Sequence, residues 1–310
     1  MKKLIPDRHP NRDFFVADIL DVVPKDDLGS MEHPLFSLSK RPDTATRLYE
    51  HNGNSIKISP SVDGLATIWD KDVLIYCISQ LIEGINRGRE PNRTLQIRAH
   101  DLLIATNRHT GGSDYDRLHK AFERLRGTTI TTDIRTNGER IRSGFGMIDE
   151  WNIVEKSPND ERMVAVTVTL SRWLYQAVLG KEVLSIDRDY FRLRGGLERR
   201  LYEIARKHCG NQARWSIRLE LLHKKSGALS PLRPFKHEVR KIITSDHLPG
   251  YRLTFDDEKD QIIFYNRNGS KAAKAKFDDD IKQLFSPSRV QTKRAKKSST
   301  TTTKPQIDLF

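Results

Sequence analysis

A chain of 310 residues is long enough for two domains that each bury a core, and a net charge of +13 with a pI near 9.7 calls for an anionic partner, either nucleic acid or an acidic membrane surface. The longest nearly apolar run, Val73 to Ile82, is too short to cross a bilayer and is broken by Ser79 and Gln80, and MKKLIPDRHPNRD has no apolar core of an export signal, so a cytoplasmic protein without membrane contact is expected. Cys77 and Cys209 have no Cys-x-x-Cys spacing, which excludes a disulfide framework and a zinc site.

Residues 1–32 read as a polar, proline-punctuated N-terminal extension around FFVADILDVV, whose pattern leaves helix and strand both open. A first domain is expected over residues 33–170. It begins with β signals: HPLFSL, then RLYEH and NSIKISP joined at Asn52-Gly53, a strong hairpin dipeptide. Asp70 is predicted to cap a helix reaching about Arg87, with Val73, Leu74, Cys77, Ile78, Leu81, Ile82 and Ile85 on one broad face, before Gly88 and Pro91 stop it. From Thr94 the pattern is a short strand (Leu95, Ile97), a short helix (Leu102, Leu103, Ala105) and a Gly111-Gly112 turn. A longer helix follows, capped by Ser113, with Tyr115, Leu118, Ala121, Phe122 and Leu125 inward. That order is how a winged helix-turn-helix reads. Arg117, His119, Lys120, Arg124 and Arg126 lie off the apolar stripe, so the longer helix would carry cations into the major groove of duplex DNA. A helical hairpin with a solvated basic face is the competing reading. TTITTDIR and IRSGFGMI flank Thr136-Asn137-Gly138-Glu139 and are predicted to form the wing. Arg135, Arg140 and Arg142 at its tip would meet phosphate or the minor groove, and the hairpin continues through WNIV to MVAVTVTLS.

A second domain is expected over residues 171–267. Asp187-Arg188-Asp189 is predicted to open a helix through DYFRLRGGLERRLYEIARKH, bent or closely packed at Gly195-Gly196, with Leu197, Leu201, Ile204 and Ala205 inward and Arg199, Arg200 and Arg206 outward. LQIRAHDLL from Leu95 then recurs as WSIRLELL from Trp215, and Asp70-Lys-Asp as Asp187-Arg-Asp, so the order of elements is expected twice. Phe235, Val239, Ile242 and Ile243 form the buried stripe of the second reading helix, and Arg233, Lys236, His237, Arg240 and Lys241 its outer face. The second hairpin, YRLTF and QIIFYNR, turns through Asp256 to Asp260, and those carboxylates repel phosphate. This wing is therefore expected to grip DNA less than the first. Residues 268–310 form a basic tail rich in Lys, Ala, Ser and Thr, expected to be disordered as far as 305.

No phosphate-cradling G-x-x-x-x-G-K-[ST] loop, no His-apolar-His trio and no convergent carboxylates occur, since Asp278 to Asp280 are consecutive in the tail. No enzyme, cofactor or metal is expected. The segments PDRHPNRDFFVADILDVVPKDDLGSMEHPLFSL, GLATIWDKDVLIYCISQLI, HDLLIATNRHTGG and DYFRLRGGLERRLYEIARKHCG resemble the replication initiator A family of bacterial plasmids, over residues 5 to 267. The resemblance implies an α+β fold of two tandem winged helix-turn-helix domains. It also implies binding of repeated or inverted origin sites, opening of an AT-rich segment, recruitment of host replication and helicase-loading proteins, and autorepression as a homodimer. The acidic second wing departs from that picture. A transcriptional repressor is the alternative; a rolling-circle nicking enzyme is disfavoured by the missing His trio. The final residues, Gln306, Ile307, Asp308, Leu309 and Phe310, resemble the pentapeptide by which bacterial replication proteins hold the sliding clamp: two apolar side chains to fill a pocket and a glutamine amide to orient them.

Overall fold

A computed structural model describes residues 4–8, 23–51, 54–136, 139–157 and 160–267. FFVADILDVV, except Val23, and the whole tail including QIDLF lie outside the described residues.

Strand β1 (Lys25–Asp27) and helix α1 (Leu28–Glu32) come first, the Asp27 carboxylate capping α1 by accepting from the Ser30 amide at 2.7 Å. HPLFSL makes no strand beyond a single bridge from Ser37 to Thr67, whereas β2 (Arg47–His51) and β3 (Asn54–Ser59) form the expected hairpin. Helix α2 (Lys71–Asn86) follows, and Gly88, at φ +75, ends it in the left-handed region that glycine adopts without strain. Asp70 precedes α2 but does not cap it. Its carboxylate accepts from the Thr67 amide and from Arg124, because the preceding turn already holds Asp70 in helical backbone. From Lys71 to Ser79 every residue of α2 is buried, since two cores meet on this helix. Val73, Leu74, Cys77 and Ile78 join a core drawn from Leu35 to Val178, while Ile75, with Met31 of α1, joins a second core running from Ile186 to Phe264. Each such aliphatic side chain contributes about 1.5–3 kcal/mol, so α2 holds both halves.

Strand β4 (Thr94–Ile97), helix α3 (Ala99–Ala105) and helix α4 (Gly112–Gly127) appear in the expected order. The next hairpin, β5 (Thr129–Thr136) and β6 (Glu139–Phe145), does not join them. It extends the first hairpin into a four-stranded sheet of order β2-β3-β5-β6. The sheet containing β4 is completed by β7 (Ile148–Ser157) and β8 (Asp160–Leu170), in the order β4-β8-β7. The strands carrying Arg135, Arg140 and Arg142 are therefore not the hairpin beside α4, contrary to expectation. An Asn-Gly pair specifies a turn and says nothing of which sheet receives the strands; Ile130 opposite buried Ile58 decides that here.

Helix α5 (Arg172–Leu179), capped by Ser171, leads to β9 (Val183–Ser185), which pairs antiparallel with β1. Asp187 caps only a 3-10 turn, Arg188–Arg192, and α6 (Gly196–His208) starts afresh after Gly195. A Cβ on Gly196 would lie 2.3 Å from the Leu38 carbonyl oxygen, so close packing explains this glycine. Asp187-Arg-Asp is thus not the counterpart of Asp70-Lys-Asp. The repeat holds further on: β10 (Arg214–Arg218), α7 (Leu219–Ser226), α8 (Leu232–Ser245), β11 (Tyr251–Asp256) and β12 (Gln261–Asn266) close a sheet of order β10-β12-β11. Residues 91–100 and 211–220 show the same succession of exposed, half-buried and buried positions, one for one. Leu95 opposite Val168 and Ile97 opposite Val166 recur as Trp215 opposite Phe264 and Ile217 opposite Ile262.

Arg199 and Arg200 point inward, against expectation, because α6 packs against α1 and the start of α2, where Arg199 meets the Asp72 carboxylate and Arg200, held by Glu203 of its own helix, meets the Ser30 and Glu32 carbonyls. At the centre of that contact the Lys71 ammonium lies 2.7 Å from Asp26 and 2.9 Å from Glu203, all fully buried. Burial, reinforced by Glu203 and Asp27 and opposed by Lys71, pushes the Asp26 carboxyl up to about 8. An unfolded aspartate titrates at about 3.9, so across that window the folded chain keeps a proton the unfolded chain has lost, and stability falls as pH rises. Urea unfolding is expected to show the unfolding free energy dropping between about pH 5 and pH 8.5, by on the order of a few kcal/mol, with Asp26→Asn removing most of the slope. An unchanged slope in that variant contradicts the assignment.

Candidate nucleic-acid interface

Residues 106–111 join α3 to α4. Asn107 sits there in left-handed backbone (φ 56), which asparagine tolerates, and Arg8 ties it down through its own amide to Asn107 Oδ1 at 2.8 Å and through Nη1 to the Asn107 carbonyl at 2.6 Å. The buried face of α4 is Leu118, Ala121, Phe122 and Leu125, as the periodicity requires. Of the five cations expected to face a partner, Arg117, Lys120 and Arg126 are exposed; Arg117 also donates to Asp114 at 3.1 Å. His119 is propped edge-on against Trp151 of β7, ring centroids 5.1 Å apart. Arg124 is half-buried and grips the Asp70 carboxylate with two donors, at 2.7 and 2.8 Å, which raises its pKa first through that hydrogen bond. It braces α4 against the start of α2.

Arg142 is exposed on β6, 3.2 Å from Asp133, and Arg135 stands opposite Arg140 in the ladder; the side chains of Arg135 and Arg140 lie outside the described residues.

On α8 the expected face divides in two. Lys236 lies 2.5 Å from Asp260, Arg240 is paired with Asp257, and both cations sit over the Phe255 ring at 4.5 and 4.9 Å. The acidic hairpin therefore neutralises one side of its own helix. Arg233, His237 and Lys241 are exposed on the other side, and among the described residues Lys241 has a carboxylate nearby, Glu238 at 3.4 Å. Buried Leu118 and Ala121 of α4 are three residues apart, as are buried Val239 and Ile242 of α8, and an exposed lysine precedes the second of each pair: Lys120 and Lys241.

Two groups of residues escape a reading by periodicity. Arg98 and Arg218, exposed immediately before α3 and α7, occupy matched positions in the repeat; the shared Ile-Arg was the signal for them. The other group lines a cleft of 810 Å³ beside α4, whose walls bring nine lysines and arginines together with four aspartates. Three of those carboxylates are engaged: Asp70 by Arg124, Asp72 by Arg108 and Arg199, and Asp114 by Arg117. Lys40, Arg41, Lys120 and Arg194 remain exposed around it, drawn from three separate segments, which only the folded chain brings together. Among the described residues no group of His, Cys, Asp or Glu side chains could hold a metal, and no helix is long and apolar enough to cross a membrane.

A protein of Wigglesworthia glossinidia brevipalpis named "Putative replication protein" is 39% identical over 259 residues, covering 83% of this chain and 94% of that one. Crystal structures of domains 2 and 3 of RctB share the fold: one has a TM-score of 0.59 at 11% identity, covering 74% of this chain and 94% of that chain, and another has 0.55 at 12%, covering 80% and 99%. Residues 25–253 match the family described as replication initiator protein A, and the chain belongs to that family.

Proposed function

We propose that the protein initiates plasmid replication by binding duplex origin DNA through two winged helix-turn-helix units, residues 33–170 and 171–267, with α4 and α8 as the reading helices. The observation that carries this is the recurrence of one element order and one sheet order, β4-β8-β7 and β10-β12-β11, around two helices that each expose a lysine. The hairpin β7–β8 takes the place of the first wing. Lys120 and Lys241 approach the duplex, and Arg117, Arg233 and His237 beside them lie on the same exposed surfaces. Arg98, Arg218 and the exposed rim of the cleft supply phosphate contacts. Binding and assembly suffice for this role, with no catalytic step by the chain itself. A repressor would use the same helices, but two unlike units in one chain, the second with its cations half neutralised, suit asymmetric repeated sites better than a palindrome.

The initiator reading extends to recruitment of host proteins by the tail, with Gln306 to Phe310 as the anchor for the sliding clamp. Gel shifts with duplex DNA flanking the protein's own gene, against a scrambled duplex, test the first half of this reading; equal affinity for both overturns it. Pull-down of the host clamp tests the second: the intact chain should capture it and a chain ending at Pro305 should not, while origin affinity stays the same. Capture by both, or by neither, overturns the clamp anchor.

A further inference from the structure

The two helix-turn-helix segments are joined by two largely buried clusters of charged hydrogen bonds, which meet where the Arg199 guanidinium lies 5.0 Å over the Tyr190 ring. Arg108, which follows α3, donates to the Trp69 carbonyl and to Asp72 Oδ2 at 3.0 Å. Asp72 Oδ1 accepts from Arg199 of α6 at 2.6 Å, and Arg199 also holds the Leu193 and Phe191 carbonyls. One residue on, Arg200 donates at 2.9 Å to the carbonyl of Lys225, near the end of α7, and to the carbonyls of Ser30 and Glu32. Glu203, one turn further, binds Arg200 at 3.0 Å, Lys71 at 2.9 Å and the Tyr190 hydroxyl at 2.8 Å. Strand β1 completes the second cluster through Asp26 on Lys71 at 2.7 Å.

Such a network is a poor way to gain stability, because desolvation of each charge offsets most of the attraction, and an apolar contact of the same volume would hold the halves as well. What it does supply is a single allowed arrangement. An apolar interface tolerates sliding, whereas the donors here are aimed at acceptors fixed on several different elements, and a shift of the second half against α2 leaves several charges unpaired in a dry interior.

We propose that Lys71, Arg200 and Glu203 are positioning residues that fix the angle and separation of the two reading helices, and so set the spacing between the two DNA half-sites the chain accepts. This rests on the tandem duplex-reading function above. A rigid pair of readers gains from its second contact only when the spacing matches its own geometry, whereas a loose pair accepts several spacings at lower gain.

The test uses the full chain with two variants that touch neither reading surface, Glu203→Gln and Arg200→Lys. Affinity is measured for duplexes holding one half-site and for duplexes holding two half-sites at graded separations. The wild type should lose about tenfold or more when the separation changes by two base pairs, and the variants about threefold or less, with single-site affinity unchanged in both. In parallel, spin labels at Arg126→Cys and Thr244→Cys, at the exposed ends of α4 and α8, report the distance between the helices without DNA. One sharp distance in the wild type and a broadened distribution in each variant is the expected result. A distribution that stays sharp in folded variants overturns the proposal. Should Glu203→Gln fail to fold, Arg200→Lys, which keeps the charge but cannot reach all its carbonyls, decides the matter alone; loss of folding in both assigns the network to stability and overturns the proposal equally. A broadened distance in the variants, with no spacing preference in the wild type, would leave the rigid coupling standing and remove the tandem reading.

Discussion

Replacing Glu203 by alanine is expected to cost about 3–5 kcal/mol of unfolding free energy, among the largest effects of any single change in the chain. Its carboxylate accepts from Lys71, Arg200 and Tyr190, all three buried. Truncation leaves an ammonium, a guanidinium and a hydroxyl without their shared partner, and Lys71 keeps Asp26 as its one remaining carboxylate. The penalty comes from stranded charge and not from the worth of the pair. Substituting Lys71→Met and Glu203→Leu together, with Asp26→Asn, should therefore recover much of the loss. Urea unfolding at pH 7 followed by circular dichroism measures both; a loss below about 1 kcal/mol for Glu203→Ala would show that water or neighbouring carbonyls satisfy these groups.

The second large effect concerns binding. Lys120→Ala and Lys241→Ala are each expected to weaken origin affinity by about 1–3 kcal/mol, and the double variant by nearly the sum, because the two lysines lie on different units and share no partner. If either lysine meets phosphate rather than a base edge, the slope of affinity against salt drops by about one unit and all sequences weaken alike. Lys236→Ala should matter much less, since Asp260 and the Phe255 ring already hold that cation. Arg124→Ala should lower stability more than it alters recognition, because it strands Asp70.

Much of this molecule is legible in its sequence where a local rule operates. Helix α2, the buried stripes of α4 and α8, and the recurrence of Leu95–Ile97 as Trp215–Ile217 follow from periodicity alone, since a residue's burial on an amphipathic element depends on its neighbours at fixed spacing. The misplacements share one cause. Whether the hairpin with Arg135 and Arg140 joins β4 or β3 depends on which pairing buries its apolar side chains, here Ile130 opposite Ile58, and whether Arg199 and Arg200 face solvent depends on Asp72 of α2, Glu203 of their own helix and backbone carbonyls of α1. The neutralisation of Lys236 and Arg240 was half visible. The acidic turn stands out in the sequence, but its reach back onto its own helix is a matter of tertiary distance. The cleft rim of Lys40, Arg41, Lys120 and Arg194 left no pattern to find, because residues converging from three segments carry no spacing.

The most direct test of two tandem duplex readers is a hydroxyl-radical footprint on the DNA flanking the protein's own gene, comparing the wild type with Lys241→Ala. The wild type should protect two patches, and the variant should keep the patch read by α4 while losing the patch read by α8. A single protected patch in the wild type, or equal fading of both patches in the variant, would contradict the account.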